Sequence, residues 1–256
     1  MRGGVVAFLA VCLWSFAASA AGTPLDLYLA GQFTQAEAAG VAQNDSQGFA
    51  IAARAVLADD MMREQPCLDC LKRAEDLARR AIAADPKLPE GHIYLAAAVG
   101  YESRIIGNIA AQSKGYANEA RRELDAALAT DPNNPWALAA MGSWHIEIVR
   151  SAGVTLARWL FGAKFDVGQD YYSKAFAASP GNLVIRYQYA LALAAYNLAD
   201  YQKDIESELA HAAAGTPAST YETFARTRAR ELLETLKRGD TATAQRLVRR
   251  DQGYPG

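Results

Sequence analysis

The residues of this chain whose types and spacing could do chemistry are few, and most are spread along helical stretches instead of gathered in a motif. Cys67-Leu68-Asp69-Cys70 is the one paired thiol constellation. In an oxidising compartment such a pair closes into a disulfide. A redox-active role would need a thioredoxin-like βαβ setting. Covalent haem needs a histidine directly after the second cysteine, where Leu71 stands, and zinc needs two further ligands, the nearest histidine in sequence being His92. A structural clip is the expectation, of modest stabilising effect because the ring is short. His92, His145 and His211 fall in different segments with no i, i+3 or i, i+4 pair, so no metal site and no cofactor are expected. His145 is expected to make an inter-helix hydrogen bond.

Binding candidates come from helical faces, since residues three, four and seven apart project together. Tyr101, Arg104 and Asn108 share one such face, and Trp144, Glu147, Arg150 and Ser151 another; Tyr187 and Asn197 offer a third. An aromatic beside a carboxylate and two arginines suits a peptide segment or an acidic small molecule, because guanidinium pairs bidentately with carboxylate while the rings supply area. The competing structural reading makes the rings core and turns Glu147, with Arg150 or Arg104, into a scaffold ion pair. Trp159, Leu160 and Phe161 form a further apolar cluster, expected to bury its own segment against a neighbour. Nucleophile elbow, phosphate-binding loop, His-Glu-x-x-His and dense carboxylate pairs are all missing from the sequence, so the chain is expected not to be an enzyme.

The elements that must position these residues are helices. Ala-rich stretches carry Leu, Ile and Tyr at three- and four-residue spacing, with no alternating β-branched run. The fold class is therefore all-α. Three segments repeat small, large, small and Pro at relative positions zero, four, seven and twelve: Ala74, Ala78, Ala81, Pro86; Ala120, Leu124, Ala127, Pro132; Gly168, Tyr172, Ala175, Pro180. Each proline, after Asp85, Asp131 or Ser179, must stop a helix. Asn134 before Pro135, and Asn182, can then cap the next one.

This register resembles the tetratricopeptide (TPR) family, over roughly residues 25 to 240. The resemblance implies an α-solenoid of about five helix-turn-helix units. Gly31, Phe33 and Ala36 mark a degenerate first unit, and Leu183 to Ala214, turning at Asp200-Tyr201, forms the last. The helix Tyr221 to Arg238 then caps the stack. From Pro86 to Pro132 to Pro180 the prolines lie about 46 and 48 residues apart, against 34 in the ordinary repeat. Two central units are thus enlarged, around Ser103 to Gly115 and Arg150 to Phe165. If helical, each insertion would lengthen a helix by about 18 Å, and the two should pack into a wall beside the groove. Gly142-Ser143-Trp144-His145-Ile146-Glu147, Leu160-Phe161-Gly162 and Leu236-Lys237-Arg238 look more particularly like the regulator-of-microtubule-dynamics family and its bacterial exported relatives. Those are TPR-type helical proteins, associated in animals with microtubules or membrane contacts.

Residues 1–20 read as a signal peptide, with Arg2, an apolar run from Val5 to Phe16, and Ala18-Ser19-Ala20 before a cut at Ala21. The expected organisation is then 21–240 as the repeat domain and 241–256 as a partly disordered helical tail. A periplasmic or secreted location is expected, with no membrane span left after cleavage. Net charge is −2 with scattered basic residues, which disfavours nucleic acid. The expected function is a scaffold that holds a protein or peptide partner in the cell envelope. A small-ligand-binding accessory of an envelope transport system is the alternative.

Overall fold

The structure, a computed structural model, describes residues 22–255; the expected signal peptide and its cut before Ala21 lie outside the described residues. Within them every regular element is helical: α1 Pro24–Leu29, α2 Phe33–Gln43, α3 Ser46–Met61, α4 Leu68–Ala84, α5 Pro89–Ile106, α6 Asn108–Lys114, α7 Tyr116–Thr130, α8 Pro135–Ala152, α9 Val154–Leu156, a π-helical turn Ala157–Phe161, α10 Phe165–Ala178, α11 Leu183–Asn197, α12 Gln202–Ala214, α13 Thr220–Lys237 and α14 Thr241–Asp251. None is long and apolar enough to cross a membrane.

The local signals act as their chemistry requires. Asn134 Oδ1 accepts from the backbone N–H groups of Trp136 and Ala137, and Asn182 Oδ1 from those of Val184 and Ile185. These side chains satisfy donors that the first helical turn leaves without partners. Asp85, Asp131 and Ser179 each leave helical geometry before their prolines. Packing is serial: α1 with α2, α3 with α4, α5 with α7, α8 with α10 and α11 with α12 form successive hairpins. Gly142 and Gly168 explain how closely α8 and α10 approach, because a Cβ on Gly142 would sit 2.8 Å from the Gly168 carbonyl oxygen. The proline register therefore produces an all-α, solenoid-like array with one core running α3–α4–α5–α7–α8 and a second through α11–α14.

Two expectations need correction. The insertions do not extend α5 and α8. Gly107 (φ 83, ψ 160) and Gly153 (φ 77, ψ 157) break both helices in a region of backbone space that side chains exclude. The chain turns aside into α6 in one unit and into α9 with the π-helical turn in the other. Residues 241–255, expected to be a helical tail in part disordered, form the helix α14 and then a docked strap, because Leu247, Val248, Gln252 and Gly253 find buried places. Gln252 Nε2 donates to the Leu191 carbonyl at 3.4 Å. Arg228 of α13 pairs with Glu64 beyond α3 at 3.1 Å, and α13 touches α1. The last helices thus reach back to the first, and the concave side of the array is partly roofed.

Candidate functional site

The inner helices α3, α5, α8 and α11 enclose a cavity of about 650 Å³. Helices α6 and α7, the π-helical turn and the first residues of α13 complete it. Ala96, Ala97, Ala139 and Ala140 make much of the room, since small side chains on facing helices leave space that Leu would fill. The lining is mainly apolar, which is the usual character of a small-molecule site of this size. Every lining residue that is solvent-exposed lies on an insertion or the last turn of α8: Asn108, Ile109, Gln112, Ser151, Leu156 and Leu160. The cavity therefore opens between the two insertions.

Half of that mouth is apolar: Ile109 is 90% exposed, Leu156 52% and Leu160 53%, beside the polar Asn108, Gln112 and Ser151, and Val154 (65%) and Trp159 (80%) stand next to it in the chain. Phe161 does bury against the core, but the cluster as a whole does not bury the insertion: the turn forced by Gly153 faces Trp159 and Leu160 outward. Inside the mouth lie most of the candidates read from the sequence. Glu147 and Arg150 are bonded at 2.9 and 2.5 Å, and Tyr254 of the C-terminal strap joins both, donating to Glu147 at 3.0 Å. Arg104 donates to the Gln252 carbonyl at 2.5 Å and lies over the rings of Tyr101 and Tyr254. Burial pushes the Glu147 carboxyl up, yet Arg150, Arg104 and Tyr254 together outweigh it and hold the group below the ordinary carboxylate range. The scaffold ion pair weighed for Glu147 is what forms.

The remaining candidates separate. Trp144 lines the cavity, is nearly buried, and donates Nε1–H to the Ala117 carbonyl at 2.8 Å, so it is wall as much as contact. Asn108 stands exposed at the mouth. Tyr187 faces away, in the second core, and donates to Asp251 at 2.6 Å. His145 accepts from the Lys164 backbone N–H at 3.2 Å and stacks on Tyr171. Burial, then Arg121, pushes its pKa down to about 4. Cys67 and Cys70 are bonded to each other. Asp60 beside them accepts the Cys67 N–H at 2.7 Å, but with both sulfurs in a disulfide the group offers no thiolate to a metal.

Sequence reasoning missed the inner end of the cavity. Tyr28 of α1, Arg54 of α3, Tyr94 of α5, Trp136 of α8 and Tyr221 of α13 meet there. Burial pushes Tyr28 up, Tyr94 up to about 12 and Tyr221 well above the usual phenol range. Glu102 was missed as well. It lies buried behind the mouth and accepts from Tyr116 Oη at 2.9 Å. Burial and a shared hydrogen bond with Glu75 push it up to about 7.

An array of helical hairpins, roofed by its own C-terminus around an apolar chamber, is the class these features define. Residues 42–237 match the model of the regulator of microtubule dynamics protein 1-3 family, and the chain belongs to that family. Membership points to an interaction-type function. No curated protein gives a significant match.

Proposed function

We propose that this chain is an exported, non-catalytic binding protein, built from hairpins of the TPR kind, whose cavity holds one apolar or amphipathic small molecule. The observation that supports this most is the chamber itself: about 650 Å³, with small residues on the inner helices, a roof and a mainly apolar lining. A peptide groove would be an open trough along the concave side, and here the strap at Gln252 to Tyr254 occupies that trough. Of the two functions expected from sequence, the small-ligand reading has the better geometric support. Native mass spectrometry of the protein purified from the envelope fraction tests it. A reproducible noncovalent adduct of a few hundred daltons is expected, whereas a bare mass together with failure to take up any apolar probe would oppose it.

A protein partner is supported by one separate observation. Val154 and Trp159 project outward beside the cavity mouth, and exposed aromatics of this kind anchor protein contacts. A pull-down from the envelope fraction with wild-type and Trp159→Ser baits tests this reading. A partner lost only with the variant bait supports it, and identical capture by both opposes it.

A further inference from the structure

The charged groups of the cavity are not equally satisfied. At the mouth, Arg104 and Arg150 both act on Glu147, and Arg104 also holds a backbone carbonyl. At the inner end Arg54 has no such company. No carboxylate of the described residues lies within ion-pair distance of it. Its guanidinium sits over the Tyr28 ring, 4.2 Å from the centroid, and bonds the Tyr28 hydroxyl. Glu222 acts on it only at longer range and is engaged with the Ala218 backbone N–H at 2.5 Å. The hydroxyls of Tyr94 and Tyr221, which line the same end, make no hydrogen bond among the described residues. A guanidinium carries five donors and stays charged at any pH a protein meets. One placed in an apolar chamber without a counter-ion is costly unless an anion joins it.

The chamber's shape supplies the other half of the ligand. From Tyr94, level with Arg54, to Ile106 at the break of α5 is twelve helical residues, about 18 Å at 1.5 Å per residue. Between them the wall is Ala97, Val99, Gly100 and, from α8, Ala140 and Ile148. Beyond them stand the exposed apolar lips. A charged end inside and a long apolar wall do not suit a sugar or a free amino acid.

Resting on the small-ligand reading above, we infer that Arg54, with the hydroxyls of Tyr94 and Tyr221, is the anion subsite of this cavity. Its ligand is an amphipathic anion, a carboxylate or phosphate head on a single apolar chain, bound head inward with the chain running towards Ile109 and Leu160. Tyr28 holds the guanidinium in place from behind. Arg104 donates to the strap carbonyl and acts on Glu147 at longer range, but its Nε is buried without a partner, so it is the rival head-group site that an Arg104→Gln variant tests.

Four probes sharing one chain test this by calorimetric or fluorescence-displacement titration: hexadecanoate, hexadecyl phosphate, hexadecanol and hexadecylamine. The wild-type protein is expected to bind at least one of the two anions no less than tenfold more tightly than the alcohol, and to reject the amine. In Arg54→Gln the preference for the anion should shrink to within about twofold while the alcohol binds as before, which also shows that the variant is folded. Arg54→Lys should restore part of the preference. The anion that wins distinguishes a carboxylate from a phosphate ligand. Equal binding of all four probes, unchanged by Arg54→Gln, overturns the anion subsite and leaves the apolar cavity standing. Loss of the preference in Arg104→Gln but not in Arg54→Gln overturns it too, by moving the head to the mouth. No saturable binding of any probe overturns both this inference and the reading beneath it.

Discussion

The two ends of the cavity are built on opposite principles. Around the mouth, charge is compensated in part within the protein: Glu147 is bonded by Arg150 and Tyr254, and Arg104 is tied to the strap. The inner end keeps a cation among phenols with no carboxylate beside it. The first arrangement is a scaffold, in which removing one partner strands the others. The second is unfinished from the protein's side, and that is the mark of a place where something else binds. Their pH behaviour differs as well. Buried phenols held above their usual range, beside an arginine, leave the inner end constant through neutral pH, while Glu102, behind the mouth, titrates near it and His145 in the acid range.

The comparison can be broken most severely by filling the chamber between its ends. Ala140→Trp should lower the affinity for any cavity ligand by at least a hundredfold, measured by titration, while leaving the far-ultraviolet circular dichroism unchanged. Next in size, Glu147→Ala strands Arg150 and Arg104 in a partly buried setting and should cost about 2–3 kcal/mol in denaturant unfolding. Arg54→Gln should cost less, since it removes a charge that has no carboxylate within ion-pair distance and is held only by Tyr28. If the two variants are equally destabilised, the ends do not differ in the way described.

The pH effects are of similar size or smaller. His145 is held neutral, with its folded pKa pushed below the unfolded value of 6.5 to about 4. Its contribution is present above pH 6.5 and is lost as pH falls from there through 4, by up to about 3 kcal/mol. His145→Gln should flatten the thermal-stability profile in that window. Glu102 has the opposite sign. Its folded pKa is raised from 4.5 to about 7, so its contribution is present below pH 4.5 and lost as pH rises through 7. Glu102→Gln should therefore raise the melting temperature at pH 8 by about 2–4 °C, the shift that goes with one kcal/mol in a domain of this size. At pH 4 it should change little.

How far the sequence spoke tracks the same division. Prolines 86, 132 and 180 with the caps at Asn134 and Asn182 gave the hairpins, because stops and starts are local chemistry. Helical spacing brought Tyr101 with Arg104, and Glu147 with Arg150, because each pair lies on one turn. The inner end was illegible because Tyr28, Arg54, Tyr94 and Tyr221 come from four helices, one of them in the unit that lacks a closing proline. Tyr254 escaped because docking of a chain end depends on the whole concave surface and leaves no periodic trace. The shape of the insertions turned on single glycines, Gly107 and Gly153, which can continue a helix or break it according to the packing of the segments on either side. Tyr187 was placed by periodicity on a face that α14 covers, through Asp251.

The central claim is that the chamber takes up one apolar molecule, and a neutral environment-sensitive fluorophore titrated into the wild-type protein and Ala140→Trp measures it most directly. Saturable one-to-one uptake by the first, with a blue-shifted emission and none of it in the second, is the result predicted. Uptake that never saturates, or that is the same in both proteins, would mean that the fluorophore sits on the exposed lips and that the chamber is not a binding site.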